Sequence, residues 1–421
     1  MNVLILGSGG RECAFAWKLS QSPQCDQLFI APGNAGTLDY GQNIDLGVSD
    51  FEGVAAFCLE QKVDMVVVGP EVPLVEGIYD FFQKEELSDI LLVGPSKEGA
   101  QLEGSKAYAK AFMARHDIPT AGYLEVTFAN LDEGVQRIQN TEGPYVLKAD
   151  GLAAGKGVLI IEDKQEAVEA LLDMIGGRFG EASGTVVIEN FLSGIEFSVF
   201  VLTDGTSYQI FPIAKDYKRI GEGDTGLNTG GMGAVSPVPF VDAALYQKVI
   251  DRVVEPTVNG LLEEGIDYKG FIFLGLIEVD KEPYVIEYNC RMGDPETEVV
   301  LPRISSDLLP VLASLKDASL DEHEIEITDQ AASTVMMVSG GYPGSYDKGK
   351  AIYIPREEHD SILFHAGTRM EGQQVLTNGG RVLAITSFGE DHKKAVEKSL
   401  DLADRIDFEG KYFRKDIGQD V

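Results

Sequence analysis

The sequence predicts a multidomain chain of α/β and α+β class: an N-terminal doubly wound parallel sheet, a central core with a mobile lid subdomain, and a C-terminal β-rich domain. Three observations carry this. Short apolar runs alternate with amphipathic helical stretches through the first hundred residues, the pattern of an open parallel sheet covered by helices. Glycine-rich turns then bracket a small α+β unit, and from about Thr328 the pattern turns β-rich. A chain of 421 residues is long enough for about three domains with ample core.

Met1-Asn2-Val3-Leu4-Ile5-Leu6 runs straight into Gly7-Ser8-Gly9-Gly10 with no basic stretch and no cleavage site, so it reads as a buried first strand. Further strands are expected at 28–31, 63–69 and 90–93. Ligands of such sheets sit beyond the carboxyl ends of the strands. Those ends are Gly7-Ser8-Gly9-Gly10-Arg11, Pro32-Gly33-Asn34-Ala35-Gly36, Gly69-Pro70-Glu71 and Gly94-Pro95, which together make one polar rim.

From Gly104-Ser105-Lys106 a helix is expected to about His116, ended by Ile118-Pro119-Thr120. Strands at 144–148 and 158–162, a glycine-rich loop at 149–157, a helix from about 164 to 175 and a closing strand at 186–189 form the unit expected to move as a lid. A second, larger sheet is expected from Glu196 to about Leu315, interrupted by a loop at 215–239. Loops that long without structure of their own are usually functional or disordered. Beyond it, strands are expected at 335–338, 351–354, 362–365 and 381–386, then a helix from about 392 to 406. The domain division is 1–101, 102–122 with 193–327, 123–192 for the lid, and 328–421.

Charge narrows the function. Thirty-five basic against 68 acidic residues give −33, which argues against nucleic acid as a partner. No run of about 18 apolar residues is present to span a membrane. Cys13, Cys25, Cys58 and Cys290 form no CxxC pair, which points to a reducing cytoplasm. The five histidines have no metal spacing, and no Ser-His-Asp or Cys-His nucleophile signature is present.

Four motifs carry chemistry. In Val285-Ile286-Glu287-Tyr288-Asn289-Cys290-Arg291-Met292-Gly293-Asp294-Pro295-Glu296, Glu287 and Asn289 lie two apart on a strand and so share a face. A carboxylate and an amide oxygen together suit a hard cation such as Mg²⁺; the alternative is a solvated edge strand. Gly7-Ser8-Gly9-Gly10-Arg11-Glu12 lacks the third glycine of a dinucleotide fingerprint, yet small residues at a helix start, with Arg11 beside them, suit a phosphate; a merely structural turn is the alternative. Gly151-Leu152-Ala153-Ala154-Gly155-Lys156-Gly157 fails the Walker A count but reads as a flexible cover for nucleotide phosphates, with Lys106 and Lys148 as point charges. Taken alone, each lysine reads sooner as a solvated surface residue. Glu189-Asn190-Phe191-Leu192 with Glu196 reads as an adenine hinge and ribose carboxylate, or as an ordinary strand turn.

Taken in order, these stretches resemble the phosphoribosylamine-glycine ligase (glycinamide ribonucleotide synthetase) family of ATP-grasp enzymes. Leu102-Glu103-Gly104-Ser105-Lys106, Asn228-Thr229-Gly230-Gly231-Met232-Gly233-Ala234, His365-Ala366-Gly367-Thr368 and Thr377-Asn378-Gly379-Gly380-Arg381 extend the resemblance over nearly the whole chain. It implies ATP-dependent joining of glycine to 5-phosphoribosylamine through a glycyl phosphate, with Mg²⁺ or Mn²⁺, in a cytoplasmic monomer. Another ATP-grasp carboxylate–amine ligase or carboxylase is the nearest alternative, and a nucleotide-binding regulator without turnover is the more distant one.

By resemblance, Lys106, Lys148, Gly155 and Lys156 hold ATP phosphates. Glu189, Phe191 and Leu192 take adenine, and Glu196 takes ribose. Glu287 and Asn289 bind metal. Gly9, Gly10, Arg11, Asn34 and Glu71 face phosphoribosylamine, and Arg291, Asp294 and Asp216 handle glycine and the acyl phosphate. Cys13 and Tyr217 stand where the family commonly has histidine. If 280–283 turns a hairpin, Glu287 lies opposite Gly275, where many ATP-grasp relatives place a third carboxylate.

Overall fold

The aliphatic run Asn2–Gly7 (β1) is central to a parallel sheet completed by Gln27–Pro32 (β2), Gln42–Asn43 (β3), Met65–Val68 (β4) and Leu91–Pro95 (β5), in the order β3-β2-β1-β4-β5. Helices Gly10–Leu19, Phe51–Gln61, Glu71–Glu76 and Ile78–Phe82 accompany it, and strands buried on both faces are apolar at nearly every position. The computed structural model describes residues 1–152, 157–178, 180, 184–355 and 359–421.

Ser105 caps the helix Lys106–Arg115, its hydroxyl accepting from the Tyr108 N–H. The lid is an antiparallel sheet of Tyr123–Thr127 (β6), Tyr145–Ala149 (β7), Val158–Ile161 (β8) and Thr185–Asn190 (β9), in the order β6-β9-β7-β8. With helices Leu131–Asn140 and Lys164–Asp173 it encloses its own core around Val126, Ile138, Leu147, Leu171 and Ile188. A separate core is what allows a unit to move as a body.

Next come Ile195–Thr203 (β10), Tyr208–Ile210 (β11), Lys215–Asp216 (β12), Arg219–Gly221 (β13), Thr225–Asn228 (β14), Gly233–Ser236 (β15), Tyr268–Val279 (β16) and Glu282–Asn289 (β17). The expected second sheet is not separate. β16 pairs with β10 and β17 along its length, and at its start Tyr268 and Lys269 pair antiparallel with Pro95 and Gly94, joining both sheets into one of nine strands. The junction is close: a Cβ on Gly270 would lie 2.8 Å from the Gly94 nitrogen. The strands stop at Asn289, and Thr297–Arg303 and Leu308–Ala313 are helices instead of the sheet expected to about Leu315. A short buried apolar run does not declare its type by periodicity.

β16 and β17 turn through Asp280 and Lys281, both at positive φ. Glu287 stands opposite Gly275 and Asn289 opposite Phe273, while Leu276 pairs with Val285, so Ile286 is an extra, bulged residue. The bulge decides which side chains meet solvent. Val285 is buried before it, and Tyr288 and Cys290 are buried after it, so the inward phase shifts by one residue. Strict alternation would have put Glu287 and Asn289 on the core face with Val285.

The last domain holds Ala331–Val338 (β18), Ile362–His365 (β19), Thr368–Glu371 (β20), Gln374–Thr377 (β21), Arg381–Gly389 (β22) and helix His392–Arg405. Its sheet runs β12-β15-β18-β22-β19, so the expected long loop at 215–239 contains strands and lends two of them to this domain. Ala351 and Tyr353 form isolated bridges where a strand was expected. Among the described residues no helix is long and apolar enough to cross a membrane.

Candidate active site

The bulged end of β17 delivers Glu287, which is exposed, and Asn289, which is half-buried. The Asn289 Oδ1 accepts from an Arg291 guanidinium nitrogen at 3.1 Å. Arg291 also pairs with Glu103 at 2.7 Å and lies 3.6 Å from Glu71. Glu103, buried under this guanidinium, accepts the Cys290 N–H at 2.8 Å. Its role went unread in the sequence although it is three residues before Lys106 in a recognised stretch.

The lysines converge on the same mouth. Lys106 Nζ donates to the Gly151 carbonyl at 3.0 Å, and burial lowers its pKa against the pull of Glu287 and Asp150. Lys148 Nζ donates at 3.2 Å to the carbonyl of Ile286, the bulged residue, and pairs with Glu189 at 3.0 Å. Lys110 pairs with the same carboxylate oxygen at 3.2 Å, and burial pushes its pKa down to about 8. The Glu189 carboxylate is thus enclosed by two ammonium groups, which leaves its main chain as the part that faces the hinge. Phe191 beyond it is exposed. Gly155 and Lys156 lie outside the described residues.

Facing this mouth is the strand–turn that carries Asp216 and Lys218. Lys218 Nζ pairs with Glu196 at 2.8 Å. Burial raises the Asp216 pKa, with Glu196 and Glu287 adding like charge; Lys218 is raised because Asp216, Glu196 and Glu287 together outweigh its desolvation. Glu296 is buried beside them and pushed up to about 8 by burial, then by Asp216. Tyr217 packs to the opposite side in the C-terminal core, so the departure from histidine there lies away from this cluster.

A second region is a cavity of about 570 Å³ between the N-terminal rim and the C-terminal domain, lined by Ser8, Gly9, Asn34, Asp294, Thr368 and Arg381 among others. Its rim differs from the sequence expectation. The Gly9 N–H donates to Glu12 at 2.5 Å and the Arg11 N–H to Asp294 at 3.3 Å, so the start of helix Gly10–Leu19 is already served by the chain's own carboxylates. Arg11 is buried, paired with Glu12 at 2.6 Å and donating to the Met292 carbonyl at 3.2 Å. Gly10 makes room for the Glu298 carboxyl. The Asn34 side chain is a strut that donates to the Ser8 and His365 carbonyls at 3.0 and 2.7 Å and accepts from Gly36 and Thr37. Glu71 faces Arg291.

Asp294 pairs with Arg381 at 3.0 Å, and one Arg381 nitrogen donates to the Gly230 and Asp294 carbonyls at 2.6 Å each. Burial opposes ionisation of Asp294, but Arg381 and Arg11 hold its pKa below the ordinary carboxylate range. Glu298 behind it is raised by burial and then by the Asp294 charge. The guanidinium groups that line the cavity, of Arg381 and Arg369, therefore come from the C-terminal domain. No spacing in the sequence ties residue 381 to the rim; its only signal was the recognised stretch Thr377-Asn378-Gly379-Gly380-Arg381.

A small antiparallel lid above a larger antiparallel sheet, with Lys148 from the lid, Lys106 from the helix before it and an acid–amide pair on the last hairpin converging between them, defines an ATP-grasp protein. Profiles of the phosphoribosylglycinamide synthetase N, ATP-grasp (A) and C domains match residues 1–103, 104–297 and 332–420, and the chain belongs to that family. It is 45% identical to a phosphoribosylamine–glycine ligase of Vibrio cholerae over 99% of this chain and 98% of that one, and 45% identical to one of Agrobacterium fabrum with the same coverage. Its fold matches the crystal structure of the phosphoribosylamine–glycine ligase of Thermotoga maritima, with TM-score 0.86, 37% identity, and coverage of 99% of this chain and 100% of that one. A biotin carboxylase of Campylobacter jejuni, at 15% identity and TM-score 0.75 over 99% and 93% of the two chains, shares the fold.

Proposed function

We infer that the chain is an ATP-dependent phosphoribosylamine–glycine ligase of purine biosynthesis, converting ATP, glycine and 5-phosphoribosylamine to ADP, phosphate and glycinamide ribonucleotide. The observation that carries this is the single stretch from Glu287 to Asp294. Its first residue, Glu287, lies in the field of Lys106 at the mouth under the lid, and its last residue walls the cavity at the rim. A ligase that passes an activated acyl group from a nucleotide to an amine needs its two sites linked in this way.

Glycine carboxylate attacks the γ-phosphate, and the amine then attacks the glycyl carbonyl and displaces phosphate. Lys106 and Lys148 hold the ATP phosphates, and Arg291, braced by Glu71 and Glu103, sits where acyl-phosphate charge develops. The acids around Lys218, Asp216 foremost, face the glycine ammonium. The hinge main chain with Phe191 and Leu192 takes adenine, and Glu196 the ribose. Arg381 and Thr368 hold the phosphorylated sugar in the cavity, with Gly9, Gly10 and Asn34 shaping its floor. Closure of the lid excludes water that would hydrolyse the acyl phosphate.

A hard carboxylate oxygen from Glu287 and an amide oxygen from Asn289 fit Mg²⁺ or Mn²⁺. The Asn289 oxygen has a lone pair left beside the Arg291 contact. A divalent ion there supplies neutralisation of phosphate charge. With glycine opposite Glu287 at position 275, we propose two protein ligands and no third carboxylate. The family resemblance supports a cytoplasmic monomer, and we keep the domain division at 101, 122, 192 and 327. Glycine-dependent phosphate release from ATP, with phosphoribosylamine supplied, is the expected result; turnover with carbonate or alanine and none with glycine would overturn the reading.

A further inference from the structure

The segment β12–β13 presents two opposite sides, because successive side chains of an extended chain alternate. Asp216 and Lys218 face Glu196 and Glu287, whereas Lys215 and Tyr217 face away and meet the segment Arg414–Asp420. Lys215 Nζ pairs with the Asp420 Oδ2 at 2.5 Å, and the Tyr217 hydroxyl donates to the Asp420 Oδ1 at 2.6 Å. One carboxylate therefore grips the residues on both sides of Asp216. Tyr217 is 3% exposed, with the Lys215 ammonium 4.7 Å and the Arg414 guanidinium 5.4 Å from its ring centroid.

The grip extends along the hairpin that follows. Arg414 is 1% exposed and makes a two-pronged pair with Asp416, at 2.7 Å on each oxygen. It also donates to the Arg219 carbonyl at 3.0 Å and pairs with Asp224 at 2.8 Å, while the Gly223 N–H donates to Asp416 at 2.7 Å. Hydrogen bonds to charged groups in such a setting are stronger than neutral ones and fix geometry as well as adding energy. A tyrosine reaches Asp420 through its hydroxyl, which gives position 217 a structural partner in this chain.

We propose that Asp420 is a positioning residue for the ATP-dependent step: by holding Lys215 and Tyr217 it keeps Asp216 and Lys218 aimed at Glu196 and Glu287. This rests on the ligase reading, and the two can fail separately. If the unaltered enzyme does not release phosphate with glycine, the reading fails; the positioning role is judged only by ratios of variant to unaltered enzyme and by the coupling below.

The test uses the full-length enzyme with Asp420→Ala, Asp420→Asn, Tyr217→Phe and the double variant Tyr217→Phe/Asp420→Ala. A loosened loop misplaces reacting groups by a fraction of an ångström, so kcat for glycine-dependent ADP formation should fall about tenfold in Asp420→Ala, with KM for ATP within about twofold. Asp420→Asn keeps an acceptor for the Tyr217 hydroxyl and should recover part of the loss. The double variant should be no slower than Asp420→Ala alone, since Tyr217→Phe removes only a contact that Asp420→Ala has already broken. A normal kcat in Asp420→Ala, a fall in kcat matched by an equal fall in folded fraction, or fully additive losses in the double variant would each overturn the proposal.

Discussion

Two regions looked alike in the sequence as ligand sites, the glycine-rich rim beyond β1 and the hairpin end of β17, and the fold uses them differently. At the rim the small residues admit the chain's own polar groups. Glu12 fills the space beside Gly7, Gly9 and Gly69, Glu298 lies against Gly10, and Asn34 ties Ser8 to His365. At the hairpin the polar groups are turned outward, with Glu287 exposed and a guanidinium contact at Asn289. A glycine-rich turn therefore marks a close approach without saying what approaches, whereas outward oxygens beside buried lysines mark a place kept for a ligand.

That contrast breaks most readily at Glu287. Glu287→Ala should reduce kcat by about 100-fold or more while leaving the thermal midpoint unchanged; near-normal turnover would show the hairpin end is not the reactive one. Next in size, Arg381→Ala should lower kcat/KM for phosphoribosylamine by about 10–100-fold, as loss of charged hydrogen bonds predicts, with a smaller change for ATP. Equal losses for both substrates would move the amine out of the rim cavity. At the rim itself, a Cβ on Gly69 would collide with the buried Glu12 side chain, so Gly69→Ala should destabilise by about 1–3 kcal/mol in denaturant unfolding. No loss would mean that glycine serves a ligand and not Glu12.

The smallest effect concerns Glu296, between the two regions. Its folded pKa of about 8 lies above the ordinary 4.5, so the neutral form is favoured in the fold. Its stabilising contribution is complete below about pH 4.5 and is lost as pH rises through 8. Glu296→Gln should therefore match the unaltered protein at or below about pH 4.5 and exceed it by about 2 °C in thermal midpoint near pH 8.5. A gap that narrows with rising pH would contradict the burial assigned to this carboxyl.

Much of this is legible in the sequence. β1, β2, β4 and β5 announced themselves because a strand covered on both faces must be apolar throughout, and the expected turn at 280–283 put Glu287 roughly opposite Gly275, a register that the bulge makes exact. The Ile286 bulge had no such signal: nothing in Val285-Ile286-Glu287 distinguishes a paired residue from an extra one, yet it alone decides whether Glu287 faces solvent. Arg381 and Glu103 were missed for another reason. Their importance comes from long-range contacts to Asp294 and Arg291, and contacts across the chain leave no local pattern. The helix from Leu308 was misread as strand because its apolar run is too short to show a period.

The strand β16 has one further consequence. At Lys269 it is pinned to Gly94 of the parallel sheet, and at Gly275 it is pinned to Glu287, six residues on (275 minus 269). At about 3.3 Å per residue this is a fixed gauge of roughly 20 Å, clamped at both ends by backbone ladders. The end of β5 and the Glu287 hairpin thus sit on one beam. The distance between the two is set by the length of a strand that need contribute no reacting side chain of its own.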